Sequence, residues 1–329
     1  GTITFIESTG DSNKILHQIV VLAAHEVEEI GDIYFNDQIV TMSNEDVTSE
    51  PFNGKAKVYK HLGDQTSATD TFANSSSSLS NTLHSETSAD SAFVGKGIAY
   101  LYCRFTYDQD AWAEGLPTVT AIVKGKKVVK TVNGVAQAPV YSNNAAWCIR
   151  DFLTYDYGFN DDSINDATFE AAATICDDTS ILSDGSPQYT VNGVVGANES
   201  TGSVLQNMMT ACGGTLFWGA GYWRLYAGDF VTPTKTLTLD DFRSGISLDT
   251  KVSMRDNYNA IRGTFIDSSQ DYISADYPQV SSSVFLTEDN NRETVLDLQL
   301  TCTSYSFAAP RIANRVQYRG RGQLTLSLY

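Results

Sequence analysis

Positive charge is scarce in this chain. Its 329 residues hold 22 Lys and Arg against 39 Asp and Glu, a formal net charge of −17. That balance argues against a whole-surface electrostatic grip on nucleic acid or on an anionic membrane. Histidine is rarer still, with 4 copies at His17, His25, His61 and His84. Long apolar runs are missing too: Ile19 to Ala24 is core-sized, far short of the roughly 20 residues of a membrane span. No integral membrane segment is expected. The 5 cysteines, Cys103, Cys148, Cys176, Cys212 and Cys302, are odd in number and far apart. None forms a Cys-x-x-Cys pair, so a zinc ribbon or a redox motif is excluded. They read as small buried hydrophobes of a reducing compartment. The N-terminal residues, Gly1 to Ile6, show neither the basic start nor the cleavage site of a signal peptide. With the strand-like end at Leu326 to Tyr329, they read as part of a longer or processed chain.

What is present is globular. Hydrophobic residues make up 42 % of the chain, too many for wholesale disorder, and the length suits roughly two domains. The first part is β-rich. Ile19 to Ala24 favours a strand over a helix, and Ile33-Tyr34-Phe35 and Gln38-Ile39-Val40 flank Asn36-Asp37 as a tight hairpin does. From Gly63 to Ser91 the composition turns to Ser, Thr, Asn and Asp, as expected of a long mobile surface loop. Gly97 to Phe105 is a strong strand, followed by Thr118 to Val123, Val128-Val129 and a turn at Asn133-Gly134.

The middle is helical. Ala145, Cys148, Ile149, Phe152 and Leu153 share one helix face, with Asn143 or Asn144 as N-cap and Gly158 beyond the end. A second helix starts near Ser163-Ile164-Asn165-Asp166, with Phe169, Ala172, Ala173 and Cys176 as its apolar stripe. A third starts at Ser203, with Val204, Leu205, Met208, Ala211 and Cys212 inward. Strands then return: Leu216 to Trp218 and Tyr222 to Tyr226 around Gly219-Ala220-Gly221, then Leu237 to Leu239, Ala260 to Ile266, Val295 to Leu300 and Gln323 to Tyr329. Ser306 to Tyr318 is one last helix with Pro310 near its first turn. The expected architecture is α+β, mainly β: a β-rich domain at 1–142, a helical insert at 143–214 and a second β-rich domain at 215–329.

Chemistry-bearing motifs are incomplete. His25-Glu26-Val27-Glu28-Glu29 begins like a zinc-protease helix, but position 29 is Glu where the second imidazole is needed. Asn160 to Asp166 is calcium-like in composition yet lacks the glycine and the alternating oxygen ligands of a wrapping loop. Helix caps explain it more simply. Asp108, Asp110 and Glu114 are the best carboxylates for glycoside hydrolysis, and an acidic chain brings such clusters together by chance. Trp112, Trp218 and Trp223 are candidates for carbohydrate stacking, against the commoner role of strand aromatics as core. No catalytic, cofactor or metal residue is assigned. One charge feature stands out: Arg311, Arg315 and Arg319 are spaced i, i+4, i+8, with Arg321 beyond. They read either as a solvated face near a helix C-terminus or as a docking stripe for an acidic neighbouring subunit.

Several segments together carry a resemblance. They are Leu16-His17 through His25-Glu26 to Asp37, Tyr107 to Asp110 with Val123 to Val128, and the run Tyr141 to Thr154 containing Ala145-Ala146-Trp147-Cys148-Ile149-Arg150-Asp151. Thr215 to Trp218, Trp223 to Leu225, Arg255 to Ala260 and Gly263 to Phe265 follow in order. This series resembles the central tail hub, or tip attachment, proteins of lambda-like long-tailed bacteriophages and related gene transfer agents. The resemblance implies a homotrimer at the distal end of the virion tail, with hub-type β-rich domains around or across the channel. It implies assembly in the bacterial cytoplasm beside distal tail and tube proteins, a tape measure and receptor-binding fibres, and no active site or cofactor. DNA would pass through the channel without stable binding, and an acidic lining would repel it. The alternatives are a cell-wall-degrading hydrolase and a carbohydrate-binding adhesin of the tail.

Overall fold

A computed structural model describes residues 1–64, 83, 86–89, 93–230, 232, 236, 238–241, 247–249, 257–321 and 325–327. The chain divides into two compact units, Gly1–Lys127 and Val128–Tyr329. The fold class is the expected one, α+β and mainly β.

In the first unit the strands are β1 (Thr2–Thr9), β2 (Ile15–Ala23), β3 (Glu29–Phe35), β4 (Gln38–Val40), β5 (Met42–Ser43), β6 (Asp46–Val47), β7 (Ala56–His61), β8 (Ala99–Thr106) and β9 (Val119–Lys124). They form a six-stranded sheet, β1-β2-β8-β7-β6-β5, and a three-stranded sheet, β4-β3-β9. Asn36 and Asp37 both take positive φ (47° and 62°), the backbone that a two-residue hairpin loop needs to match strand twist. Ile15–Ala23 is a strand, as its β-branched run favours.

Strand β8 explains why its sequence reads as a continuous apolar run rather than an alternation: it is buried on both faces. One face sends Leu101, Cys103 and Phe105 into a core with Val20, Phe35 and Val58. The other sends Tyr100 and Tyr102 into a second cluster with Ile19, Tyr59 and Leu83. Tyr59 and Tyr102 stack with ring centroids 5.1 Å apart.

Most of the Ser-rich stretch at 63–91 lies outside the described residues. The described part is tied to the sheet: Leu83 is fully buried, Glu86 pairs with Arg104 at 3.0 Å, and the Ser88 N–H donates to both Glu7 carboxylate oxygens at 3.1 and 3.0 Å.

In the second unit the helices are α1 (Ala145–Asp151), α2 (Asp166–Cys176), α3 (Thr201–Ala211), α4 (Ser283–Glu288) and α5 (Ala308–Gly320). The strands are β10 (Lys127–Val128, at the boundary), β11 (Thr131–Val132), β12 (Val135–Ala136), β13 (Val140–Tyr141), β14 (Thr215–Gly219), β15 (Tyr222–Tyr226), β16 (Ser247–Asp249), β17 (Ala260–Asp267), β18 (Ile273–Ser281), β19 (Val295–Asp297) and β20 (Thr325–Ser327). A three-stranded sheet, β18-β17-β19, and the hairpin β14-β15 are its larger sheet pieces. Helices and strands share one core: Ile149, Phe169, Leu225, Ile261, Phe265 and Ile312 belong to the same buried cluster. The stripe Phe169, Ala172, Ala173 and Cys176 is buried as its spacing predicts.

Asn144 does two jobs. Its Oδ1 accepts from the Ala146 N–H at 3.0 Å, capping α1, and its Nδ2 donates to the Ala173 carbonyl at 2.9 Å, tying α1 to α2. Helix α2 is capped by Asn165, not by Ser163, which lies in the preceding 3-10 turn Asp161–Ser163. Helix α3 starts earlier than expected because the Ser200 hydroxyl accepts from the Ser203 N–H. The β14-β15 loop is two residues, not three: Gly219 pairs with Tyr222, and Ala220 and Gly221 turn the chain at φ 53° and 83°. Where Leu237 to Leu239 was expected to be a strand, Leu239 opens a 3-10 turn and Leu237 lies outside the described residues.

Two positions make the packing testable. A Cβ on Gly263 would sit 1.9 Å from the Leu298 carbonyl oxygen, backbone that cannot swing away. Gly263→Ala is therefore expected to cost at least the ~1–3 kcal/mol of core overpacking, read as a lowered midpoint in chemical denaturation. Buried His61 stacks on Tyr100 at 4.5 Å, and burial pushes its pKa from 6.5 down to about 3. Burial pushes His17 down as well. Unfolding lets these rings protonate near their ordinary value, so the unfolded state binds more protons below it. Stability is thus full above pH 6.5 and falls on acidification towards the folded values. The melting temperature of the intact chain should drop between pH 7 and pH 5, and less steeply in His61→Phe.

Candidate docking surface on the last helix

The candidate site is built on α5 by its own periodicity. Ala308, Ala309, Ile312, Ala313 and Gln317 are buried, which at 3.6 residues per turn leaves 311, 315 and 319 as a neighbouring row. Gln317 accounts for its polar burial by donating to the Asn259 carbonyl at 2.5 Å.

Each arginine of the row has a partner within the unit. With its amide oriented to satisfy its neighbours, the Gln188 oxygen accepts from Arg311 Nη2 and Nε at 2.8 and 3.0 Å. Arg315 pairs with Asp229 at 2.7 Å, both partly exposed. Arg319 donates to the Gly214 carbonyl at 3.2 Å and to the Thr215 hydroxyl. These contacts hold the guanidinium groups in fixed positions and leave hydrogens to spare, since each group carries five N–H donors. A groove beside α5 is lined by Leu182, Val280, Phe307, Arg311, Arg315 and Tyr318. Phe307 and Tyr318 are 50 % and 62 % exposed, so cations and apolar rings are presented together, the composition of interface cores.

Arg321 behaves differently. Its side chain is 7 % exposed and makes ion pairs with Glu288 at 2.7 Å and with Asp289 at 2.9 Å, with its guanidinium carbon 4.7 Å from the centre of the Phe285 ring. This arginine clamps the exit of α5 to α4. Burial pushes the Asp289 carboxyl up, but hydrogen bonds from Asn259 and Arg321 outweigh that and hold it below the ordinary range.

The other candidate residues are occupied structurally. Asp108 caps a turn, accepting from the Asp110 and Ala111 N–H groups at 3.1 Å, and pairs with Lys55 at 2.7 Å. The Lys55 hydrogen bond lowers its pKa, the wrong direction for a general acid. His25 bonds the Glu26 carbonyl at 2.8 Å, while Glu26 and Glu28 pair with Lys127 and Glu29 with Lys124. In the calcium-like run, Asp161 and Asp166 neutralise Arg150, whose side chain is 4 % exposed, at 3.1 and 2.9 Å. Trp112 packs on Phe52 and Phe105, and Trp223 packs against the second unit's core. Trp218 alone of the three is open, at 52 %. Among the described residues no group of three or more His, Cys, Asp or Glu could hold a metal ion, all five cysteines are free thiols, and no helix is long and apolar enough to cross a membrane.

Residues 200–325 match a family model described as "Putative phage tail protein". That stretch contains α5, its arginine row and the β14-β15 hairpin. No curated protein matches the chain. Among solved structures, the chain is similar to one from "Virion of native gene transfer agent (GTA) particle", with a TM-score of 0.57 and 12 % identity over 98 % of this chain and 71 % of that one. The likeness is one of fold.

Because Arg315 and Asp229 are partly exposed, their ion pair contributes at most ~1 kcal/mol to folding. Arg315→Glu should therefore leave the melting temperature within a few degrees of the parent. If the row docks an acidic neighbour, the same variant should weaken assembly, read as a lower mean mass in solution at equal concentration.

Proposed function

We propose that the chain is a non-catalytic structural component of a phage-type tail, a homotrimeric hub at the distal tip. It closes or continues the tail tube and links it to receptor-binding parts during host attachment and DNA ejection. The observation that carries this reading is a fold likeness to a virion chain that runs through 98 % of the present one, joined to the tail-protein match over 200–325. The partners are distal tail or tube proteins, a tape measure and receptor-binding fibres, on a virion assembled in the bacterial cytoplasm. In this reading the β-rich parts, 1–142 and 215–329, carry the hub role, and the helical stretch 143–214 supports it from the core it shares with the later strands.

Physical support comes from the charge balance. A net charge of −17 supports an acidic channel wall, which DNA would cross without sticking, since phosphates are repelled rather than gripped. The arginine row on α5 is a local exception, suited to an acidic protein neighbour.

The intact chain should sediment at three times its 35.9 kDa and appear as a ring in low-resolution images. A monomer at all accessible concentrations would remove the trimer. Clearing of a bacterial cell-wall suspension by the purified chain would overturn the non-catalytic role in favour of a tail hydrolase.

A further inference from the structure

The β14-β15 register sorts the hairpin into two faces. Leu216 stands opposite Leu225, and Trp218 opposite Trp223. Leu216, Leu225 and Trp223 pack into the unit's core. The other face carries Thr215 opposite Tyr226, Phe217 opposite Arg224, and Gly219 opposite Tyr222. On this outer face Phe217, Tyr222 and Tyr226 are 42 %, 42 % and 41 % exposed. Phe217 and Tyr226 lie parallel within 4°, centroids 5.8 Å apart. They form a rigid, flat apolar platform that costs little side-chain entropy to use.

No residue of this face is acidic. Arg224 stands on it and forms no ion pair among the described residues, while Arg319 of α5 reaches its edge at Thr215. The platform is thus continuous with the arginine row: the Arg315 Cβ stands 3.8 Å from the place a Cβ on Gly213 would take, two residues before the strand. Aromatic rings with arginines, and no lysine or carboxylate on the face, is the composition of an interface centre. Its charge also fixes what kind of contact it makes. A cationic face laid on its own copy by a two-fold axis would oppose arginine to arginine, so an isologous pairing is disfavoured. A different, acidic region of a second copy fits, and a chain with a net charge of −17 offers such regions in every copy.

We infer that the outer face of the β14-β15 hairpin, with Phe217, Tyr226, Arg224 and Arg319, is one half of a head-to-tail contact between copies of this chain. Such a contact generates a ring when the rotation closes. The inference rests on the proposed trimer and names the surface that builds it.

The experiment measures mass against concentration for the intact chain and for Arg224→Glu, Tyr222→Ser and the double variant Phe217→Ser/Tyr226→Ser. Melting temperature serves as the check on folding. The expected result is a ring for the parent and at least a tenfold rise in its dissociation constant for the variants. Parent assembly should also weaken as salt rises from about 0.05 to 0.5 M, a readout that needs no variant. A parent trimer indifferent to salt and to all three variants overturns this surface and leaves the trimer standing. A closed two-fold dimer overturns the head-to-tail contact. A parent that stays monomeric overturns both the surface and the trimer.

Discussion

The 3.6-residue repeat of α5 is the constraint on which the candidate site depends. Burying Ala309, Ile312 and Ala313 against the β17-β18 side of the core fixes the rotation of the helix about its axis. Positions 311, 315 and 319 then have no freedom to turn elsewhere. Gln188, Asp229 and the Gly214 carbonyl meet the three guanidinium groups where that rotation puts them. The core therefore sets where the backbone presents the cationic row, and the contacts to Gln188, Asp229 and Gly214 bias the side chains toward the same side.

The same core organises the rest of the second unit. Residues from α1, α2 and α5 and from β15 and β17 meet in one cluster, so the helical stretch is packed as part of the unit that contains the later strands. In the first unit the corresponding constraint is β8, whose two faces close two separate clusters. Removing either cover would expose tyrosines or aliphatic side chains that only a buried strand carries.

Long periodic signals were legible in the amino-acid order. The stripe from Phe169 to Cys176, the Asn36-Asp37 hairpin and the arginine spacing on α5 all follow from one period or one turn chemistry. Short-range competition was not. Ser163 and Asn165 are both good caps, but Ser163 lies inside the 3-10 turn and it is the Asn165 Oδ1 that accepts from the Thr168 N–H at 3.2 Å. Leu239 has strand-like neighbours, yet its chain turns, with the Asp241 carboxylate accepting from the Thr238 N–H at 2.8 Å. Trp218 and Trp223 were equally open to a core role, and only the structure separates them, packing Trp223 on the core and leaving Trp218 52 % exposed, because strand composition does not say which positions are covered. Arg321 reads as one more member of the basic cluster, and its inward turn depends on Asp289 and Glu288, more than thirty residues earlier.

Arg150 carries a consequence of its own. Its guanidinium is nearly out of water and its sheltered counter-charge is Asp166, since Asp161 is 69 % exposed. Losing Asp161 leaves a balanced pair, whereas losing Asp166 leaves a buried cation with only a solvent-screened partner. Arg150 and Asp166 are therefore tied as a pair, and descendants of this chain should keep or discard the two together.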